Sequence, residues 1–289
     1  MIGLLQVDGK WPNLALMHLG AWLRECGEDV HYIVPMEQTQ CETVYAAKVF
    51  TETDADYVLN TAIRGGTGWA DWRNLPTLTN EAEHSYPAYD LWYCDIAMGH
   101  LTRGCIRHCS FCVVHDKEGI IRHHSHLSEW WHGQSQIRLL DANITAHPDC
   151  LDYLEELRAS KAKVDISQGV DARLITDEIA RALKSLHYAK RLHTAWDNMR
   201  DEDAVLTGLT ILRQYFGSRT IMAYVLIGYN TTPDEDMYRI EKLREIGIDP
   251  FVMAYDRSNA YQRRIQRWTN HKAIFYSVPW KHYKEHYTR

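Results

Sequence analysis

The 289-residue chain contains no run of eighteen apolar residues, so nothing in it predicts a membrane-spanning helix and no membrane partner is expected. Its opening, Met1-Ile2-Gly3-Leu4-Leu5-Gln6-Val7-Asp8, is too short and too uncharged to read as a secretory leader, and the expected compartment is the reducing cytoplasm. Basic residues are not in excess. With 32 Lys and Arg against 38 Asp and Glu, the formal net charge of −6 offers no global attraction to a phosphate backbone. No internal repeat and no low-complexity tract is present, which argues against solenoids and biased tails. Cysteines number seven, an odd count that argues against a disulfide framework. What remains, 45% hydrophobic and 24% charged, is the balance of an ordinary globular chain with room for one large domain and a smaller appendage.

Three of the seven cysteines stand together. Cys105, Cys109 and Cys112 follow the spacing C-x-x-x-C-x-x-C in the segment Thr102-Arg103-Gly104-Cys105-Ile106-Arg107-His108-Cys109-Ser110-Phe111-Cys112. A cubane [4Fe–4S] cluster has four irons and normally takes four thiolates, so a loop that offers three leaves one iron open to a small ligand. Zinc is the alternative, with His108 or His115 as fourth ligand, although zinc sites usually pair C-x-x-C units and no second pair follows here. Cys26, Cys41, Cys94 and Cys150 are scattered singly and read as ordinary thiols, which argues against a second cluster.

From the cysteine loop to about residue 256, short apolar runs alternate with amphipathic stretches, the pattern of parallel strands joined by helices. Six strands are expected, over 96–101, 137–140, 164–167, 192–196, 221–227 and 251–255, with helices over 150–160 and 177–186. Thr232-Pro233-Asp234-Glu235 reads as an N-cap, a first-turn proline and a capping-box glutamate, opening a helix that ends near Gly247. Six strand–helix units make a partial (β/α)6 barrel, with its active face at the carboxyl ends of the strands. Residues 1–95 read as a small Rossmann-like α/β domain, 96–256 as the barrel and 257–289 as a helical extension closing it. In the first domain, strands are expected over 3–7, 30–34, 43–50 and 57–62, with a helix over 14–26. Its glycine-rich stretch Arg64-Gly65-Gly66-Thr67-Gly68 has no helix pattern after it and reads as a plain loop. The run His123-His124-Ser125-His126, with His132 nearby, reads as a solvated loop because adjacent histidines point different ways. In 261–289, basic residues interleave with Trp268, Phe275, Tyr276, Trp280 and Tyr283. Such interleaving can bind nucleic acid, but a terminal helix packing its aromatics inward accounts for it too.

The cysteine spacing, with aromatic Phe111 just before the third thiol and Thr102-Arg103-Gly104 leading into the first, resembles the signature of the radical S-adenosylmethionine (SAM) superfamily. Nearly the whole chain is similar to the subgroup whose N-terminal half resembles a cobalamin-binding domain, with Trp11-Pro12-Asn13-Leu14-Ala15-Leu16 opening the first helix. The turn Lys117-Glu118-Gly119 is similar to one in bacterial and phage members. The resemblance implies a [4Fe–4S] cluster on Cys105, Cys109 and Cys112, with SAM chelating the open iron. It implies Phe111 near the adenine, and Asp141, Ala142 and Asn143 at the end of the second strand beside the SAM amino group. Asp197 falls at the ribose position, its alternative being a helix N-cap. Gly228, in Ile227-Gly228-Tyr229-Asn230-Thr231, corresponds to the backbone that approaches adenine. Beyond the third strand, Gln168, Asp171 and Arg173 are candidates for the SAM carboxylate or a substrate. The N-terminal unit is short and has no Asp-x-His-x-x-Gly motif, so cobalamin is not expected.

The activity implied is reductive cleavage of SAM to a 5′-deoxyadenosyl radical that abstracts hydrogen, the cofactor carrying the difficult chemistry. An electron donor such as flavodoxin or ferredoxin would be the protein partner. Rearrangement or another redox-neutral conversion of a polar, small-molecule or nucleotide-type substrate is the expected outcome. Alternatives are modification of a tRNA or DNA base, cobalamin-dependent methyl transfer, and a non-catalytic iron–sulfur or zinc protein.

Overall fold

The computed structural model describes residues 1–286, with side chains as far as Tyr283. The chain divides into two compact units, one of residues 1–101 and 124–138, the other of 102–123 and 139–289. The first unit therefore runs past the expected boundary at residue 95 and takes in a later segment of the chain.

In the first unit, β1 (Ile2–Gln6), α1 (Leu14–Glu25), β2 (Val30–Tyr32), β3 (Thr43–Ala47) and β4 (Ile63–Gly65) build a parallel sheet of order β2-β1-β3-β4. Both faces of the sheet are covered, because successive residues of one strand enter opposite clusters. Leu4 packs with Leu16, Leu19 and Leu23 of α1, whereas Leu5 packs with Ile33, Val44, Ala46 and Trp69. Each such leucine contributes about 1.5–3 kcal/mol on burial. Asn13 caps α1 by accepting from the Leu16 amide at 3.1 Å.

The strand expected over 57–62 is not formed; the fourth strand lies just beyond it, at Ile63–Gly65. The cause is Gln38, a buried side chain whose amide donates to the Tyr57 carbonyl at 3.0 Å while its oxygen accepts from the Leu59 amide at 3.0 Å. One side chain thus takes up the backbone groups that a neighbouring strand would have paired. The unit closes with α2 (Asn80–Glu83) and β5 (Ala97–Gly99), the latter falling within the expected strand 96–101.

The second unit opens with a two-residue antiparallel ladder, β6 (Thr102–Arg103) on β7 (Arg122–His123), with α3 (Val114–Glu118) between them. The cysteine loop is the tip of this hairpin. After β8 (Gln136–Leu139), whose first three residues belong to the first unit, come α4 (Cys150–Ala159), β9 (Lys163–Ile166), α5 (Asp177–Lys184), β10 (His187–Tyr188), β11 (Leu192–Ala195), α6 (Glu202–Tyr215), β12 (Ile221–Ile227), α7 (Pro233–Glu245) and β13 (Asp249–Ala254). The expected strands and helices of this half are present with small shifts of their ends.

β9 pairs with β10, and β11, β12 and β13 form a separate parallel sheet. The fold is α/β with parallel sheets, but no continuous six-stranded ladder is formed. The short β10 takes the edge of β9 that β11 would otherwise occupy, and β11 reaches past it to the loop after β9, where the Val170 amide donates to the His193 carbonyl at 2.8 Å. Helices α8 (Ala260–Asn270), α9 (Lys272–Ser277) and α10 (Trp280–His286) finish the chain, with Trp268, Phe275 and Tyr283 buried. The C-terminal aromatics are therefore largely core. Arg289 lies outside the described residues.

Candidate functional site at the cysteine loop

Gly104 begins the loop with φ +88°, and a Cβ on it would stand 2.4 Å from the Ile120 carbonyl oxygen, so glycine is required by both conformation and space. Its amide donates to Glu118 Oε2 at 3.0 Å, and the Cys105 amide donates to the Gly119 carbonyl at 3.1 Å. Lys117-Glu118-Gly119 is thus the clasp that closes the loop. The base of the hairpin is fixed by Asp141, fully buried, whose Oδ1 accepts from both the Thr102 amide at 2.5 Å and the Thr102 hydroxyl at 2.6 Å. The Asp141 side chain is therefore spent on anchoring the loop rather than held for a ligand. Ala142 lies between it and Asn143, half-buried, with no side-chain role of its own.

Cys109 and Cys112 are both raised, chiefly by burial. Burial raises the Cys109 thiol above its ordinary value, Arg173 opposes that, and Cys112, Asp197 and Cys105 add to it. Burial also raises Cys112, against a hydrogen bond from the Val114 amide, with Cys105, Asp197 and Glu118 adding to the rise. Cys105 Sγ accepts from the Arg107 amide at 3.4 Å and from Asn143 Nδ2 at 3.5 Å. Deprotonating all three at once is disfavoured unless a cation takes up the charge.

Among the described residues, no three His, Cys, Asp or Glu side chains are already drawn around one point as a single-ion centre. A single zinc ion would require that, with sulfurs about 2.3 Å from the metal. A cubane holds its irons at separate corners and accepts thiolates that stand farther apart. Three thiols, one of them accepting N–H···S bonds, are the soft donor type that an iron–sulfur group takes.

Behind the thiols lies a charged network. Asp171, whose side chain is 6% exposed, accepts from Arg107 Nε at 3.0 Å and is gripped at two points by Arg173, from Nε at 2.7 Å and Nη2 at 3.0 Å. Arg173 Nη1 continues to Asp201 Oδ2 at 2.7 Å, and Asn143 Nδ2 also approaches Asp171 Oδ2 at 3.4 Å. Burial alone would raise the Asp171 carboxyl, but the two arginines outweigh it and hold it below the usual carboxylate range. Arg173 is thus committed to two carboxylates, whereas Arg107, inside the cysteine loop, engages Asp171 through Nε.

Asp197 does not cap a helix; its Oδ1 accepts from the Leu226 amide of β12 at 3.0 Å, and burial pushes its carboxyl upward. Phe111 is partly exposed and meets Tyr229 edge-on with ring centres 5.4 Å apart, and Tyr229 in turn lies 4.7 Å from Tyr255. The Tyr229 hydroxyl donates to Ser110 Oγ at 2.7 Å, tying the strand end of β12 to the cysteine loop. Gly228, at φ +74°, gives its amide to Asp236 Oδ2 at 3.1 Å. The space a Cβ would take there is filled by Gln262, 2.0 Å away, so the glycine serves packing by α8 rather than leaving room for a ligand. Gln168 is exposed and stands outside the network.

The structure thus gathers Cys105, Cys109, Cys112, Phe111, Asn143, Arg173 and Asp197 at one place, and sets Gln168 and Gly228 aside. Sequence reasoning gave no role to Arg107, Asp201, Ser110 or Tyr229. Arg107 could have been suspected from its place between two cysteines; the others have no local signal. No protein-family model matches the chain, and no curated protein matches it significantly.

Proposed function

We propose that the protein is an enzyme of the radical SAM kind, with a [4Fe–4S] cluster on Cys105, Cys109 and Cys112, on an open partial barrel whose ladder is interrupted after β9. The observation that carries the reading is the pairing of three thiols on one clasped loop with an arginine–carboxylate network reached from that loop by Arg107. Cys105, Cys109 and Cys112 would hold the cluster, which, once reduced by one electron, would supply the reductive cleavage of SAM to methionine and a 5′-deoxyadenosyl radical.

The chain's own residues do the rest. Arg107, carried by the loop itself and held by Asp171, is the group we assign to the SAM carboxylate; Arg173, already divided between Asp171 and Asp201, holds Asp171 in place. Phe111, Tyr229 and Tyr255 offer an aromatic wall against which adenine can pack. Asp197, held by the Leu226 amide, offers a carboxylate that can accept from a ribose hydroxyl. N–H groups on Cys105 temper the charge of its sulfur and so tune the reduction potential.

Flavodoxin or ferredoxin would deliver the electron, and the expected conversion is a rearrangement or other redox-neutral change of a polar substrate. Cobalamin is left out, since the N-terminal unit is short and has no Asp-x-His-x-x-Gly motif; at the ends of β1 and β3, where strand order reverses, Asp8 takes the Val49 and Phe50 amides at 2.8 Å each. The C-terminal aromatics offer little to nucleic acid, since Trp268, Phe275 and Tyr283 are buried.

Anaerobic reconstitution tests the reading. About four irons per chain are expected, with loss of iron when any one of the three cysteines becomes alanine. Zinc in their place, or iron that survives Cys109→Ala, would contradict it.

A further inference from the structure

The first unit holds a second concentration of metal-ligating side chains, separate from the cysteine loop. His18 from α1, Glu83 and His84 at the end of α2, His100 after β5, and His124 and Glu129 from the returning segment line one cavity. We propose that this cavity binds one borderline divalent transition-metal ion, Zn2+ or an ion of similar chemistry, through imidazole nitrogens.

Two of the imidazoles are held as metal-ligating histidines usually are. His84 Nδ1–H donates to Glu129 Oε2 at 2.6 Å, which orients the ring and makes Nε2 its acceptor nitrogen. His18 Nδ1–H donates to the Ser85 carbonyl at 2.6 Å, which fixes Nε2 as acceptor there as well. The ring spacing also agrees. His84 and His124 have centres 5.2 Å apart, and His100 and His124 6.0 Å. Two imidazoles sharing a tetrahedral ion with Zn–N bonds of about 2.0–2.1 Å have ring centres roughly 5–6 Å apart.

Charge and donor type then choose the ligand. Glu83 and Glu129 favour a cation over an anion, and nitrogen donors favour zinc, copper or nickel over magnesium or calcium. No three donors yet surround one point, so binding turns side chains inward on a backbone already in place. His124 is the pivot, being within reach of both other rings, and it belongs to the run that composition alone reads as solvated. Its neighbours go elsewhere: His123 Nδ1 bonds the Tyr153 hydroxyl at 2.8 Å, and the His126 amide donates to Glu129 Oε1 at 2.8 Å.

Titration of the full-length protein with Co2+ tests the proposal, because nitrogen and oxygen ligation gives visible d–d bands without the near-ultraviolet charge transfer of thiolate. About one Co2+ per chain with the nitrogen-type spectrum is expected, retained when Cys105, Cys109 and Cys112 are all changed to serine. His84→Ala and His124→Ala should abolish it, and Glu129→Gln should weaken it roughly 10–100-fold, the usual effect of losing the carboxylate behind a ligating histidine. Circular dichroism on each variant establishes that it is folded. The proposal is overturned by absence of that spectrum in the wild type, by its loss with the three cysteines, or by its persistence in a folded His84→Ala or His124→Ala. Should both alanine variants fail to fold, unchanged affinity in Glu129→Gln overturns it alone.

Discussion

In the first unit, the carboxyl ends of β1 and β3 meet at Asp8, whose two oxygens take the backbone amides of Val49 and Phe50. In the second, the ends of β9 and β11 lead to Asp171, Asp197 and Asp201, which engage arginine side chains or the backbone of β12 and stand beside three thiols. Both are the places where parallel sheets usually receive ligands. A carboxylate that satisfies backbone donors fixes a loop; a carboxylate that holds arginines keeps charged, hydrogen-bonding side chains at the strand ends. The contrast places the proposed SAM chemistry at the strand ends of β9 and β11 and a structural role at those of β1 and β3.

The largest effect expected from this contrast is all-or-none. Cys105→Ala, Cys109→Ala or Cys112→Ala should remove iron from the reconstituted protein, while Asp8→Asn should leave iron content unchanged; iron analysis of the four proteins decides. Next in size, Asp171→Ala leaves Arg107 and Arg173 without their shared partner and should cost about 3–5 kcal/mol in urea denaturation, as for other broken buried pairs. Asp8→Asn loses charge from two hydrogen bonds and should cost about 1.5–3 kcal/mol. Equal costs, or SAM affinity that falls in the Asp8 variant and not in the Asp171 variant, would erase the distinction between the two ends.

Much of this frame could be read from sequence where the signals were local. Thr232-Pro233-Asp234-Glu235 forms the capping box it spells, with the Thr232 amide donating to Glu235 Oε2 at 2.7 Å. Strand 221–227 is as expected because seven apolar and aromatic residues run without a break. What could not be read depends on partners far along the chain. Gln38 overrides the strand expected at 57–62, and Arg107 meets Asp171 from 64 residues away. The ladder break after β9 comes from two residues, His187 and Tyr188, too few for any periodic signal. Arg173 is expected from sequence to face a ligand, whereas its fork is engaged by Asp171 and by Asp201 28 residues further on, a pairing with no local signal.

A smaller effect sharpens the account of the second strand end. Gly228→Ala must place a side chain at φ +74° and displace Gln262, which accepts from the Asp256 amide at 3.0 Å. A loss of about 1–3 kcal/mol is expected by thermal or urea denaturation, with SAM affinity kept in the folded fraction. A loss of affinity without loss of stability would return Gly228 to the ligand side.

The smallest effect is one of pH. Raised thiols are protonated at pH 8, so in the metal-free protein Cys109 and Cys112 should react slowly with iodoacetamide there. Their rates should climb roughly tenfold per pH unit while the thiolate fraction is still small. Peptide-resolved mass spectrometry follows each cysteine; rapid alkylation of Cys109 and Cys112 already at pH 7 would mean that the burial and mutual repulsion assigned to them are absent.

The most direct measurement of the central claim is 5′-deoxyadenosine released from SAM by the anaerobically reconstituted protein under dithionite, beside the protein with Cys105, Cys109 and Cys112 all changed to alanine. The account predicts release by the first and none by the second; a wild-type protein loaded with about four irons that leaves SAM intact, or a triple variant that cleaves it, would contradict the account.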